Sequence, residues 1–291
     1  MQINQNLYKH LLSRHSIRRY RQDLMDENGL LKIIKLSKTI DFLNENYEFK
    51  IQTFNYLPDS PSGKALGGFG RIMKPPYFFA PYISGGTNSL VDLGFRTQQI
   101  VLGMWNQGTG SCYVGCAHRQ FRVKQLLDIS DQARIFSFVI FGEPDTNQSL
   151  RLYQKLSQFF TRSKKRLPFE ELFIDNKLPL ILKKDIVFKK ILEAGRQAPS
   201  ATNSQPWRFE YKNDRFVIYA HQKRLANIYD LQQGYSFHDT GICMANMSMA
   251  AKALGKKFKW QLVSTDDKIQ PLTETNLPIA YFEIDDLRNR S

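Results

Sequence analysis

Two short segments of this 291-residue chain concentrate groups able to do or assist chemistry. The first is Arg14-His15-Ser16-Ile17-Arg18-Arg19, which gathers cations around one hydroxyl. Guanidinium forks and a serine hydroxyl suit a phosphate, because charge-assisted bonds to its oxygens are short and strong. The same residues also suit a basic helix end that complements the helix dipole. The second segment is Ala198-Pro199-Ser200-Ala201-Thr202-Asn203-Ser204-Gln205-Pro206-Trp207-Arg208, a bend of small polar residues between a helix and a strand. Ser200, Asn203 and Gln205 offer several donors and acceptors within a few residues, which fits a hydroxylated, heteroaromatic ligand. They equally fit a loop whose side chains bond their own backbone.

The elements that must position these segments follow from periodicity and turn residues. Helices are expected over about residues 4–14, 30–44, 90–107, 185–197 and 234–254. Strands are expected over about 47–54, 77–83, 134–141, 208–211, 216–220, 258–263 and 279–284, with Asn213-Asp214 as a hairpin turn. After Gly142-Glu143-Pro144, a polar linker and a short helix lead to the basic cluster Arg162-Ser163-Lys164-Lys165-Arg166. Pro58 to Gly70, rich in Gly and Pro, reads as an unstructured loop of the kind that serves as a lid or binding loop, or simply as a mobile surface loop. The segments beginning at Val91 and His238 repeat one pattern: Asp-x-Gly (Asp92/Gly94 and Asp239/Gly241) heads a small-residue helix, and a strand follows. This suggests duplication of a half-domain. The alternation of helices and strands, one sheet per half, points to α+β or α/β.

The bulk composition bounds the function classes. A net charge of +14 favours anionic partners. The basic residues are dispersed, and no nucleic-acid-binding motif accompanies them, so nucleic acid is not the expected partner. Three cysteines, Cys112, Cys116 and Cys243, argue against a disulfide framework and for a reducing compartment. Cys112, Cys116 and His118 lack a convincing fourth ligand, so no metal is expected. The apolar runs are strand-sized and no signal-like segment opens the sequence, so a cytoplasmic protein without a membrane partner is expected.

Together the two polar segments resemble the nitroreductase family of FMN enzymes. Its members carry Arg-x-Ser-x-Arg/Lys near the N-terminus and Ala-Pro-Ser-x-x-Asn-x-Gln-Pro-Trp a little downstream. RHSIRR matches the first, and ILEAGRQAPSATNSQPWRF, from Ile191, matches the second. GTGSCYVG, from Gly108 to Gly115, resembles the segment beside the reactive edge of the flavin. Lys164-Lys165-Arg166-Leu167-Pro168 resembles the family's phosphate-binding tail. The resemblance implies an α+β, nitroreductase-like fold: two related halves, each with a central mixed or antiparallel sheet flanked by helices. In ordinary members both motifs occur in one short chain, and two chains pair to form two flavin sites. Here the arginine motif lies in the first half, residues 1–160, and the polar turn in the second, residues 161–291. Ile40 to Phe49 takes the turn's place in the first half, and no Arg-x-Ser-x-Arg follows the linker. The chain therefore resembles the tandem, single-chain branch of the family: an intramolecular pseudo-dimer, monomeric, with one composite site.

Carried over position by position, the resemblance assigns the FMN phosphate to Arg14, Ser16 and Arg18, joined by Lys164 and Arg166. His15 falls near the pyrimidine end or the ribityl chain. Pro199, Ser200, Ala201 and Asn203 line the flavin from the other half, with Gln205 in support. The backbone N–H groups of Val114 and Gly115 face N5 and O4, and Arg71 and Lys74 fall toward the N1/O2 edge. No side-chain acid or base is expected, because the non-covalently held flavin carries the hydride. NADH or NADPH is the implied donor, and a small electron-poor acceptor, a nitroaromatic or quinone, follows in the same slot. The alternative is a non-catalytic descendant that binds FMN weakly or not at all.

Overall fold

The computed structural model describes residues 5–22, 27–86, 88–145, 165–175, 179–180, 184–222, 229–264 and 275–283. The chain divides into two compact units, one formed by Arg14–Lys155 and the other by Met1–Ser13 together with Leu156–Ser291.

In the first unit, helix α2 (Glu27–Ser37) precedes β1 (Glu48–Asn55), two short helices α3 (Pro61–Leu66) and α4 (Gly68–Met73), β2 (Tyr77–Ser84), the long helix α5 (Ser89–Asn106), β3 (Gly110–Gly115), α6 (Gln120–Leu127) and β4 (Ser137–Gly142). The four strands form an antiparallel sheet in the order β1-β2-β4-β3. Side chains alternate across a pleated strand, and both faces of this sheet are buried. Phe78, Ala80, Phe138, Ile140, Cys112 and Val114 pack on one side with Ala65 and Leu66 of α3 and Val123 and Leu127 of α6. Tyr77, Phe79, Val139 and Phe141 pack on the other with Ile33 of α2 and Ile100, Val101 and Met104 of α5. The near-continuous apolar runs of β2 and β4 are the sequence signature of this three-layer arrangement.

The second unit repeats the plan. Helix α7 (Ile186–Arg196) is followed by β5 (Trp207–Lys212), β6 (Arg215–His221), the long helix α8 (Tyr229–Ala253), β7 (Gln261–Leu262) and β8 (Asn276–Glu283). Its antiparallel sheet runs β5-β6-β8-β7. Strand order and the place of the long helix, between second and third strands, are the same in both units, so the two halves are related. Asn213 and Asp214 join β5 to β6 with φ of 51° and 59°, the left-handed pair that a two-residue hairpin turn requires. Helix α1 (Gln5–Ser13) belongs to this second unit. The Tyr8 hydroxyl donates to the Lys190 carbonyl of α7 at 3.0 Å, and α1 packs against α8.

Several expected boundaries move. The helix expected over 30–44 ends at Ser37, and residues 38–47 form a loop. The strand expected over 258–263 contracts to Gln261–Leu262, and the one expected from Arg134 begins at Ser137, leaving Arg134 in an isolated bridge to Ile83. Pro58 to Gly70 is not an unstructured loop but carries α3 and the start of α4. Ser60 caps α3 by accepting from the Gly63 N–H at 3.0 Å, and Pro61 sits in the first turn, where no N–H is needed. A side chain at 63 would meet the Leu57 carbonyl 1.9 Å from its Cβ, so this glycine permits close packing rather than looseness. The short helix expected between residue 144 and the basic cluster lies outside the described residues.

Candidate functional site

In the second unit, α7 ends at Arg196 and delivers the chain into the polar turn. Asp185 caps the start of α7 by accepting from the Phe188 N–H. The turn's backbone is unusual: Thr202, Asn203 and Gln205 lie at φ of 52°, 57° and 49°. The left-handed conformation costs a non-glycine residue roughly 1–2 kcal/mol, and such strain persists only where surrounding contacts over-determine it. Those contacts are present. Ser200 Oγ accepts from the Gln205 N–H at 3.0 Å, and Asp239 Oδ2 on α8 accepts from the Ala201 N–H at 2.7 Å. Thr202 is exposed, so little packing is lost with its side chain, whose hydroxyl donates to the neighbouring Ala201 carbonyl at 2.7 Å. Thr202→Gly is therefore expected to raise the stability of this unit by up to about 1 kcal/mol, relief of strain outweighing glycine's extra chain entropy; a thermal melt checks it.

The chain segment at residues 165–167 is bound along the turn. Asn203 accepts from Arg166 Nη1 through Oδ1 and donates to the Lys165 carbonyl at 2.8 Å. Gln205 accepts from the Leu167 N–H at 2.9 Å and donates to the Lys165 carbonyl at 3.2 Å. Arg166 also donates to the Gln197 carbonyl at 3.0 Å. Burial, then the neighbouring Arg196, depress the Arg166 guanidinium's pKa, while Glu193 works the other way. Of the expected residues, Arg166, Ser200, Ala201, Asn203 and Gln205 are thus brought together, with Pro199 half-buried at the head of the turn. Lys164 lies outside the described residues.

In the first unit, residues 14–19 run beside β3. Ile17 donates its N–H to the Ser111 carbonyl at 2.9 Å. It also lies so close to Gly110 that a Cβ there would stand 2.7 Å from Ile17 Cγ1. Arg14 is buried, Ser16 and Arg18 are half-buried, and His15 sets its ring edge-on to Trp105 at 5.1 Å. Tyr20 closes the segment, bonding the Ile17 and Ile140 carbonyls.

Strand β3 is an edge of its sheet, and successive residues of a strand turn their backbone groups to opposite sides. Ser111 faces outward, to Ile17, whereas Cys116 donates inward to the Phe136 carbonyl at 2.9 Å. With Val114 opposite Phe138 and Gly115 opposite Ser137, the Val114 N–H is turned into the sheet and the Gly115 N–H toward the open edge. Gly115 is thus the donor of this pair that a ligand at the edge would meet, a distinction that sequence spacing does not reveal. Arg71 is exposed on α4, and Lys74 caps that helix at φ 41°. Cys112 and Cys116 are buried, and burial pushes the Cys116 thiol up to about 12. Among the described residues, no group of His, Cys, Asp and Glu stands arranged to hold a metal, and no helix is long and apolar enough to cross a membrane.

Two related α+β units, one carrying an arginine-serine segment beside a strand edge and the other a polar turn, define the nitroreductase class. The chain belongs to the family described as "Putative TM nitroreductase", whose model matches residues 6–251. A solved "putative nitroreductase" from Thermotoga maritima is similar over 98% of this chain and 96% of its own, at 18% identity and a TM-score of 0.59, so the shared fold spans both halves. The NADPH:FMN oxidoreductase from Vibrio harveyi is similar over 54% of this chain and 85% of its own, at 18% identity and a TM-score of 0.44. An FMN-dependent nitroreductase from Clostridium difficile is similar over 48% and 88%, at 17% identity and a TM-score of 0.40. No curated protein matches the chain by sequence.

Proposed function

We propose that this protein is an FMN-dependent NAD(P)H oxidoreductase that reduces electron-poor small molecules such as nitroaromatics or quinones, with one flavin per chain. The donor set fits FMN in kind. Arg14, Ser16 and Arg18, with Lys164 and Arg166, supply the cations and hydroxyl that a phosphate dianion needs. Pro199, Ser200, Ala201 and Asn203 would line the ring system from the polar turn, with Gln205 in support through its bonds to residues 165 and 167. The Gly115 N–H, on a strand edge, supplies a donor suited to stabilise negative charge on a reduced ring. FMN, when bound, supplies the hydride chemistry; the chain's residues bind and orient it and exclude water.

The observation that carries the proposal is the division of the motifs. Each half retains one set only, and each set has an ordered local frame of its own: Ile17 on Ser111 in one unit, Asp239 and residues 165–167 on the turn in the other. One nucleotide served by both sets explains why neither half keeps both. It also accounts for part of the +14 charge without nucleic acid, and it makes a monomer the expected functional state.

Flavin titration tests this. The protein is expected to bind FMN at one per chain. Arg14→Ala and Asn203→Ala, although in different halves, are each expected to weaken binding by about 1.5–3 kcal/mol, tenfold or more. Two flavins per chain, or an unchanged affinity in either variant, would overturn the shared site. Tight FMN binding without NAD(P)H oxidation would instead identify a flavin-holding, non-catalytic descendant.

A further inference from the structure

The Asp-x-Gly repeat plays no part in the flavin assignments above, yet its two aspartates perform the same act. Asp239, 3% exposed, lies on α8 and accepts the Ala201 N–H in the connection between α7 and β5. Asp92, fully buried on α5, accepts the Leu43 N–H at 2.8 Å in the equivalent connection between α2 and β1. In each half the long helix thus holds the loop that enters the first strand. The loops themselves have diverged. Residues 38–47 contain no left-handed residue and none of the polar turn's sequence, whereas the turn at 200–205 contains three left-handed residues. The second oxygens differ as well: Asp92 Oδ2 takes Arg96 at 2.9 Å, and Asp239 Oδ1 takes His238 Nδ1 at 3.2 Å. A carboxylate only accepts, so His238 donates there.

We propose that Asp239 is a positioning residue for the flavin: with His238 behind it, its carboxylate fixes the Ala201 N–H and so preserves the left-handed backbone of the turn whose Ser200, Ala201 and Asn203 line the cofactor. This rests on the flavin reading of the turn. Asp92 is the same clamp in the half whose loop no longer carries that turn, which makes it an internal control. Asp239 acts before the ligand arrives, because a strained turn relaxes once its first residue is released. Preorganisation of this kind raises affinity without any contact to the ligand.

The test compares Asp239→Asn with Asp92→Asn, each a change of charge and acceptor count at constant shape. Amide hydrogen exchange is read in the flavin-free protein and FMN affinity by titration. Asp239→Asn is expected to speed exchange across residues 198–206 at least tenfold and to raise the FMN dissociation constant about tenfold. Asp92→Asn is expected to speed exchange across 38–47 and leave FMN affinity within twofold of the parent. Asp239→Asn keeps an amide oxygen that can still accept, so it weakens the bond by removing the charge; Ala201→Pro removes the bond altogether by deleting the donor, at a position following the extended Ser200 (φ −145°, ψ 159°), which tolerates a succeeding proline. It is expected to match or exceed the Asp239→Asn effect, and the double variant is expected to bind FMN no more weakly than Ala201→Pro alone. Unchanged exchange over the remaining amides of 198–206 in Ala201→Pro overturns the clamp whether or not flavin binds. Faster exchange in a protein whose parent binds no FMN overturns the flavin reading instead. Equal loss of FMN affinity in Asp92→Asn and Asp239→Asn reduces both to general stability and overturns the positioning role.

Discussion

Arg96→Met is expected to destabilise the first unit by about 3–5 kcal/mol at neutral pH, the loss that follows when one partner of a buried ion pair is removed. Asp92 has a fully buried side chain, and Arg96, 12% exposed, lies one helical turn away with its guanidinium 2.8 Å from Oδ2. The same guanidinium donates to the Asn44 carbonyl at 2.9 Å and lies over the rings of Phe42 and Phe49 at 5.3 and 5.6 Å. Methionine keeps most of the stem's packing on those rings, so the deficit isolates the charge left behind. Burial raises the Asp92 carboxyl above its ordinary value even with Arg96 and the amides of Leu43 and Asn44 pulling it down. A carboxyl raised in the folded state favours folding when protonated. Its contribution is fully present below its unfolded pKa and is lost as pH rises through the folded one. Removing Arg96 raises the folded value further. The penalty of Arg96→Met relative to the parent is therefore expected to shrink as pH falls from neutral into the mildly acidic range. Urea unfolding at several pH values, followed through Trp105, the tryptophan of this unit, gives the measurement. A penalty that grew in acid would show that Asp92 is not held as a buried carboxylate.

The same cluster shows what the sequence could and could not convey. Strands β2 and β4 were legible as apolar runs because both faces of the first sheet are covered. The Asn213-Asp214 turn was legible because few residue pairs accept two successive left-handed conformations. The polar turn was legible through residue chemistry and the family motif. Helices α3 and α4 were not, since Pro61, Gly63, Gly67 and Gly70 are poor helix formers by propensity. Their order comes instead from a serine cap and from the burial of Ala65 and Leu66 against α6, both matters of tertiary context. Helix α1 carried an apolar stripe whose partner no periodicity specifies, and its place with the second unit depends on Tyr8 and α8. The repeat at Asp92 and Asp239 was visible as letters. That both carboxylates reach into the preceding loop is a property of the fold alone, because the bonded residues, Leu43 and Ala201, contribute only a backbone N–H and leave no side-chain signal.

The largest loss in the second unit is expected from Phe216→Ala, about 3–5 kcal/mol for a large core aromatic. Phe216 is fully buried on β6 and packs against four aromatic rings at once. Its ring lies 5.1 Å from Phe209 of β5, 5.1 Å edge-on to Phe188 in the first turn of α7, 5.3 Å from Phe282 of β8 and 6.4 Å from Phe173. Such pairs add roughly 0.5–1.5 kcal/mol each beyond burial, and a cavity among rigid rings closes poorly. Denaturant unfolding followed through Trp260, which packs edge-on against Phe282 at 5.0 Å, measures the loss. Phe216→Leu, which retains most of the apolar volume, is expected to lose less. The consequence reaches the polar turn by a definite route: Phe188 anchors α7, and α7 delivers the chain to Pro199 and Ser200. Loosening α7 at its start leaves the Asp239 bond to Ala201 in place, so in folded Phe216→Ala protein FMN affinity is expected to fall far less than in Asp239→Asn. Were the order reversed, the turn would be held by the core beneath α7 rather than by the carboxylate on α8.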